Sequence, residues 1–248
     1  MFLKFFCMNR FLVIVPTYNE IENISLLIAT VMDLKAGFEM LVVDDASPDG
    51  TAAAVKRLQN AYPDRLHLLE RKGKKGLGTA YVAGFEWALQ RPYDIIFEMD
   101  ADFSHNPADL ERLLNACFHE HADVVIGSRY IRGVNVVNWP LSRVLLSYFA
   151  SIYVKLVTGM KVHDATAGFI AYRRHVLEKI ELNRIKFVGY AFQIEMKYRC
   201  YAQKVNMIEI PIVFTDRSRG TSKMNNGIIH EAIWGVISLR IKHLFNRL

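Results

Sequence analysis

The chain has 248 residues, 52% of them hydrophobic and 12% aromatic, which argues against disorder and allows one large α/β core. Its formal net charge of +6 asks for an anionic partner such as a phosphorylated substrate or an anionic membrane; with no basic run or recognised binding motif, nucleic acid is not expected. Cys7, Cys117 and Cys200 are odd in number and lack CxxC spacing, which argues against a disulfide framework or zinc site and for a reducing compartment.

In chain order, residues 1–8 are apolar but short, without a small-residue cleavage site, and read as a leader that brushes a membrane or packs on the body. Phe11–Val15 is an apolar strand stopped by Pro16. The turn Thr17-Tyr18-Asn19-Glu20 follows, and Ile21, Ile24, Leu27, Ile28 and Val31 recur at helical spacing. Met40–Val43 is a second strand ending in Asp44-Asp45, and Ser47-Pro48-Asp49-Gly50-Thr51 is a turn opening a helix to about Asn60. Leu66–Leu69 is a third strand. A basic, glycine-containing loop over 71–78 precedes a helix to about Gln90; its spacing is not that of a Walker phosphate loop.

The run Ile95-Ile96-Phe97-Glu98-Met99 leads into Asp100-Ala101-Asp102, and a helix is expected from Asn106-Pro107 to about Glu120. Val124–Gly127 is a fifth strand, followed by Ser128-Arg129-Tyr130. Strands alternate with helices through residue 127, which predicts a mostly parallel, doubly wound open sheet with helices on both faces.

Beyond residue 133 the pattern changes. Pro140–Thr158 reads as an apolar helix carrying Arg143, Ser147, Ser151 and Lys155 at every fourth position. That stripe is either a solvated face on a core helix or the side of a lipid-associated helix that meets a phosphate head group. Ala171-Tyr172 closes a short strand, a helix runs from Gly189 to about Gln203, and Met207–Ile210 is a late strand. An apolar helix with Trp234 spans 228–248 and ends in Arg240, Lys242, His243 and Arg247, a basic end that complements the helix dipole or lies on an anionic membrane. No apolar run reaches the roughly 20 residues expected of a membrane span.

The chemistry-bearing residues sit at strand ends. A parallel sheet brings Thr17–Glu20, Asp44-Asp45, Asp100-Ala101-Asp102 and Arg129 to one edge, where open α/β sheets bind ligands. Asp100 and Asp102 are hard oxygen ligands suited to Mg²⁺ or Mn²⁺ bridging to a diphosphate. Asp45 is placed to accept hydrogen bonds from a base or ribose. Arg129, with Arg217 and Lys223 in the basic loop after the last strand, supplies positive charge for phosphate oxygens. His105 either reaches the metal region or serves the turn, and Cys117 and Cys200 read as core thiols.

Taken together, Pro16-Thr17-Tyr18-Asn19-Glu20, Asp44-Asp45-Ala46-Ser47-Pro48-Asp49-Gly50-Thr51 and Asp100-Ala101-Asp102 resemble the family-2 glycosyltransferases of the GT-A fold. Gly127-Ser128-Arg129-Tyr130, Asp164-Ala165-Thr166-Ala167-Gly168-Phe169, Phe192-Gln193-Ile194-Glu195-Met196 and Arg217-x-x-Gly220-x-Ser222-Lys223 are similar to its dolichol- or polyprenol-phosphate mannose synthase branch. The resemblance implies donor contacts at Pro16, Tyr18, Glu20, Val43, Asp45, Asp100, Ala101, Asp102, Arg129, Arg217 and Lys223, with metal ligation by Asp100 and Asp102. It assigns catalytic stabilisation to Asp102, Arg129, Arg217 and Lys223, and the acceptor phosphate to Arg143 and Ser147. The family often carries Gln two residues past the second aspartate as a further metal ligand; here it is Ser104, which leaves that contact open or bridged by water.

The implied reaction is inverting transfer of mannose from GDP-mannose to a polyprenyl phosphate, with Mg²⁺ or Mn²⁺ as cofactor. Alternatives are a UDP-glucose-dependent polyprenyl-phosphate glucosyltransferase and a family-2 transferase acting on a soluble glycan. The implied organisation is a catalytic domain over 1–227 and a C-terminal amphipathic helix over 228–248, part of that domain or facing a membrane. The resemblance is to a short form without C-terminal spans, cytoplasmic and peripheral on the cytosolic face of a membrane, docked by its own helices or by a small membrane-anchoring subunit.

Overall fold

Alternating apolar residues decide how the central strands sit. The computed structural model describes residues 9–189, 191–216 and 227–245, the side chains of 227–232 excepted. In β1 (Phe11–Thr17), Val13 and Val15 enter one buried cluster and Leu12 and Ile14 another; β2 (Glu39–Asp44) divides Met40 and Val42 from Leu41 and Val43 in the same way. Both faces are therefore covered, as a parallel sheet requires. One face packs on α1 (Ile21–Met32), α2 (Thr51–Gln59) and α4 (Asp109–His119), through Leu27, Val55 and Leu113 among others. The other packs on α3 (Leu77–Leu89), α6 (Arg174–Lys179) and α7 (Ala191–Ala202), through Phe85, Leu177 and Ile194. Gly84 lies in mid-helix because a Cβ there would come within 2.7 Å of an Ile14 side-chain carbon; its absence lets α3 close onto β1.

The remaining strands are β3 (Leu66–Glu70), β4 (Ile95–Glu98), β5 (Val124–Ser128), β6 (Val136–Val137), β7 (Ile170–Arg173), β8 (Met207–Pro211) and β9 (Phe214–Thr215). The main sheet has the order β3-β2-β1-β4-β7-β5-β8. Pairing is parallel except that β7 runs antiparallel to β4 and β5. The carboxyl ends of β1, β2, β4 and β5 thus share one edge, as the strand pattern predicts. The insertion of β7 between β4 and β5 does not follow from that pattern, because it depends on a chain segment more than forty residues beyond β5. The two-residue strands β6 and β9 pair as a ribbon beside this edge.

β1 does not stop at Pro16. Its ladder to β4 ends at Ile14, opposite Glu98, whereas the ladder to β2 runs on to Thr17. By Pro16 the strand has a free side, where a residue without N–H is tolerated. Cys117 and Cys200 are buried free thiols, each pushed up to about 12 by burial.

α5 (Leu141–Thr158) and α8 (Gly227–Leu244) flank the sheet and touch each other, with Tyr153 Oη donating to the Ile233 carbonyl at 2.9 Å. α5 is long and apolar enough to cross a membrane, which corrects the sequence expectation; polar residues at every fourth position break any uninterrupted apolar run. Its stripe is not a solvated face. Ser151 is buried and donates to the Ser147 carbonyl while accepting the Ala165 N–H, and Arg143 and Ser147 also turn inward; Lys155 is exposed. What otherwise faces outward is largely apolar, including Leu141, Leu145 and Leu156, the last 79% exposed. On α8, Trp234, Ile241 and Leu244 are likewise exposed. The expected leader over 1–8 and Arg247 lie outside the described residues.

Candidate active site

At the β1–β2 end, short polar side chains lock two loops together. Asp44 accepts from Thr17 Oγ1 at 2.9 Å and from both Oγ and N–H of Ser47, and Ser47 Oγ in turn accepts the Asn19 N–H. Asp49 accepts from the Ile21 N–H and from Thr51, whose hydroxyl accepts the Glu20 N–H. The turn chemistry visible in the sequence thus fixes Tyr18 next to the β2 end, where the Asp45 N–H donates to the Thr17 carbonyl, while the Glu20 carboxylate accepts from Asn23 Nδ2 at 3.0 Å.

Asp45 is 5% exposed. Burial pushes its carboxyl above the ordinary range, against the Arg71 guanidinium 3.3 Å away and the Lys75 N–H at the same distance. Lys74 lies over the Tyr18 ring, 4.8 Å from its centroid. The 71–78 loop, although no Walker loop, therefore builds one wall of this end of the crevice. Val43 and Ala101 are core residues with side chains in the two apolar clusters, so any ligand contact from them falls to the backbone.

Asp100 and Asp102 follow β4 and line a cavity of about 380 Å³. Asp102 accepts the Ser104 N–H at 3.1 Å, while Thr215 donates to the Ser104 carbonyl, tying the β9 segment to this turn. His105 serves the turn: its Nδ1 accepts the Asp100 N–H at 3.4 Å, and its ring stacks on Phe169. Burial pushes His105 down to about 4, so it is neutral at pH 7. Among the described residues no group of three or more His, Cys, Asp or Glu side chains gathers as a metal cage. Two carboxylates without a cage fit Mg²⁺ or Mn²⁺, which retain waters and take substrate phosphates as ligands.

Arg129 sits at the end of β5. Its Nε and Nη2 donate to Asp164 at 2.7 and 2.6 Å, its N–H also reaches Asp164, and Nη2 donates to Thr166 Oγ1 at 2.7 Å. Burial works against both charges, yet each partner outweighs it: Arg129 is held above its ordinary value and Asp164 below. Asp164 is braced in turn by β8, where Glu209 accepts the N–H groups of His163 and Asp164. The arginine expected to meet phosphate is thus already held in a fork by a carboxylate.

Arg143 donates to Asp216 at 3.0 Å and lies 4.1 Å from the Trp139 ring centroid; Ser147 Oγ is 3.3 Å from Thr166 Oγ1. Both line the same cavity as Asp100, Asp102 and Arg129, which continues past Phe149 and Tyr153 to Ile233 and Val236 of α8. Arg217 and Lys223 lie outside the described residues.

The structure therefore gathers Tyr18 and Asp45 against the 71–78 loop at one end of the crevice, with Glu20 turned to Asn23, and Asp100, Asp102, Arg129, Arg143 and Ser147 around one cavity. Sequence reasoning assigned no role to Arg71, Lys74, Trp139, Asp164 or Glu209. Asp164 carried a signal as the first residue of a motif quoted for the resemblance, and Arg71 and Lys74 stood in the basic, glycine-containing loop.

Comparison with known proteins places this geometry. The sequence family described as "Glycosyl transferase family 2" matches residues 12–181. The chain is 47% identical over 96% of its length to a polyprenol monophosphomannose synthase of Mycolicibacterium smegmatis, covering 90% of that protein. It is 45% identical over 92% of its length to an undecaprenyl-phosphate mannosyltransferase of Micrococcus luteus, covering 94% of it. Among solved structures, glucosyl-3-phosphoglycerate synthase from Mycobacterium tuberculosis with Mn²⁺ and UDP-glucose superposes with a TM-score of 0.68 at 16% identity, over 95% of this chain and 79% of that one. That likeness carries the fold alone.

Proposed function

The chain belongs to glycosyl transferase family 2, a glycosyltransferase of GT-A fold, and we propose that it transfers mannose from GDP-mannose to a polyprenyl phosphate, giving a β-linked lipid-phosphate sugar. One observation carries the reading: a single cavity leads from the Asp100–Asp102 pair, past Arg143 and Ser147, to the α5–α8 flank with its outward apolar residues. A donor diphosphate suits the first end and an amphipathic phosphate the second. The names of the two mannosyl-transferring relatives support the sugar and the acceptor.

In this mechanism the locked β1–β2 loops seat the nucleoside, with Asp45 facing base or ribose. Asp100 and Asp102 would hold Mg²⁺ or Mn²⁺, which supplies charge neutralisation for the diphosphate when bound. Arg143 and Ser147 orient the acceptor phosphate. It is already an anion at neutral pH, so no strong general base is needed. One of its oxygens bonds to the anomeric carbon while the bond to the diphosphate oxygen breaks, the electron pair leaving with GDP; a single displacement inverts that carbon. Catalysis is mostly positioning and charge stabilisation, with Arg129, Arg217 and Lys223 contributing positive charge. Apolar walls from α5 and α8 keep water from the activated sugar.

The same flank supports membrane docking. Leu141, Leu145 and Leu156 on α5 and Trp234 and Leu244 on α8 would immerse in a bilayer surface, with Lys242 at head-group level. In this reading 1–227 forms the catalytic body and 228–248 the membrane-facing helix, on the cytosolic side. The deciding experiment follows label from GDP-mannose and, separately, UDP-glucose into a short polyprenyl phosphate with and without Mn²⁺. Metal-dependent, GDP-mannose-selective lipid labelling is expected. Labelling from UDP-glucose alone changes the product, and labelling of no lipid overturns the acceptor.

A further inference from the structure

Gln193, in the first turns of α7, is 2% exposed and lines the cavity alongside Ala167 and Gly168. Its Nε2 donates to Glu98 Oε2 at 2.5 Å, and Glu98 is wholly buried at the end of β4. That contact orients the amide while Glu98 is ionised, because turning it over would then set Oε1 against a carboxylate oxygen; burial pushes the Glu98 carboxyl up to about 7, so the orientation is fixed above that pH. Oε1 has no hydrogen-bond partner among the described residues. The side chain is also rigidly mounted. Lys197, one turn along α7, donates from Nζ to the Ala167 carbonyl at 2.5 Å and to the Gln193 carbonyl at 3.3 Å, clamping this turn to the cavity wall. The molecule thus maintains an oriented, buried acceptor beside the cavity, and an acceptor left unmatched there costs stability.

We propose that Gln193 is a specificity-determining residue whose side-chain carbonyl accepts a hydrogen bond from one hydroxyl of the transferred hexose. The inference rests on the function proposed above and assigns how its sugar is read. The matching ligand group must be a donor. Neither the donor diphosphate nor the acceptor phosphate is one at neutral pH, and the nucleoside is assigned to the Asp45 end. The hexose lies between the metal-held diphosphate and the acceptor phosphate. Gln193 lines the cavity that holds Asp100 and Asp102 at one end and Arg143 and Ser147 towards the other. With water expelled, a sugar lacking that hydroxyl leaves Oε1 unmatched, and such a site rejects the deoxy analogue more strongly than shape alone can.

The test compares the wild-type enzyme and Gln193→Leu with the parent donor and its set of monodeoxy-sugar analogues. GDP-mannose and UDP-glucose are both offered first, and the analogues are made for whichever donor the wild type uses. Wild type should lose roughly 10- to 100-fold in kcat/KM for one analogue in particular. Gln193→Leu should fall by a similar factor with the parent sugar and no longer distinguish it from that analogue. Its affinity for GDP (or UDP) with Mn²⁺ should stay within about twofold, a readout that a merely structural defect would shift. A flat analogue profile in the wild type overturns the proposal even if the variant does not fold. So does a variant that keeps the wild-type profile. Absence of transfer from both donors instead overturns the function beneath it, and this inference with it.

Discussion

Apart from the buried Asp45–Arg71 pair, the two ends of the crevice are built from different materials. At the β1–β2 end, Asp44 and Asp49 are satisfied by hydroxyls and backbone N–H groups within a few residues of the strand ends. At the β5–α5 end, charge answers charge: Arg129 is forked onto Asp164 and Arg143 is paired with Asp216, beside an apolar flank. In the proposed function these hydrogen bonds, several of which join the two loops across 27 or 28 positions of chain, form a cradle for a water-soluble nucleotide. Paired ions let cationic groups stand next to a greasy surface without an uncompensated buried charge. If the proposed function holds, the difference lets one crevice serve two substrates of opposite solubility.

Substitutions break this contrast in a graded way. Asp102→Ala stands where the two ends meet and should lower metal-dependent transfer by about a thousandfold or more, with thermal unfolding little changed; retained turnover with unaltered Mn²⁺ dependence removes Asp102 from the ligand set. Asp164→Ala leaves Arg129 buried and unpaired, and urea unfolding should show a loss of about 3–5 kcal/mol. Adding Arg129→Met should restore much of that stability but not activity, which separates the structural role of the pair from its catalytic one.

A smaller effect is expected outside the crevice. Leu156→Glu on the exposed side of α5 should leave stability within about 0.5 kcal/mol while reducing co-sedimentation with anionic vesicles; unchanged sedimentation means that this face does not dock. Ser47→Ala, in the hydrogen-bonded cradle, should cost about 1 kcal/mol and raise KM for the nucleotide donor with little change for the lipid acceptor. Equal changes in both KM values would erase the distinction between the two ends.

The least effect on turnover is expected at the far edge of the sheet. Burial there would raise the Glu39 carboxyl, but bonds from His67, Arg10 and Tyr93 outweigh it and hold the group at about 2. A carboxylate depressed in the folded state contributes stability above its ordinary value, and loses it as pH falls from about 4.5 towards 2. Melting curves across that window should be steeper in pH for wild type than for Glu39→Gln, with transfer at neutral pH alike.

What the sequence made legible was local. Apolar runs ending in Asp44-Asp45 and Asp100-Ala101-Asp102 located strands and their functional edge, because strand alternation and turn residues act within a few positions. The antiparallel β7 was not legible as a spacer, since four residues over Ile170–Arg173 say nothing about which strands they will separate. Nor was the Arg129–Asp164 fork, formed across 35 positions of chain. The direction of the α5 stripe depended on what packs against it: the every-fourth-residue spacing was plain, but only tertiary contacts turn Arg143, Ser147 and Ser151 towards the cavity. Gln193 was visible within a motif, yet its role depends on Glu98 of a distant strand.

The strand inserted between β4 and β5 also acts as a gauge. Neighbouring strands are spaced about 4.8 Å apart, so one intervening strand places the ends of β4 and β5, and with them the aspartate pair and the Arg129 backbone, about two spacings apart, near 10 Å. A hexose ring flanked by phosphates needs a width of that order. Without β7 the two strand ends would close to a single spacing, too narrow for the hexose of the proposed reaction. In the proposed reaction, the fold sets the reach before any side chain touches the substrate.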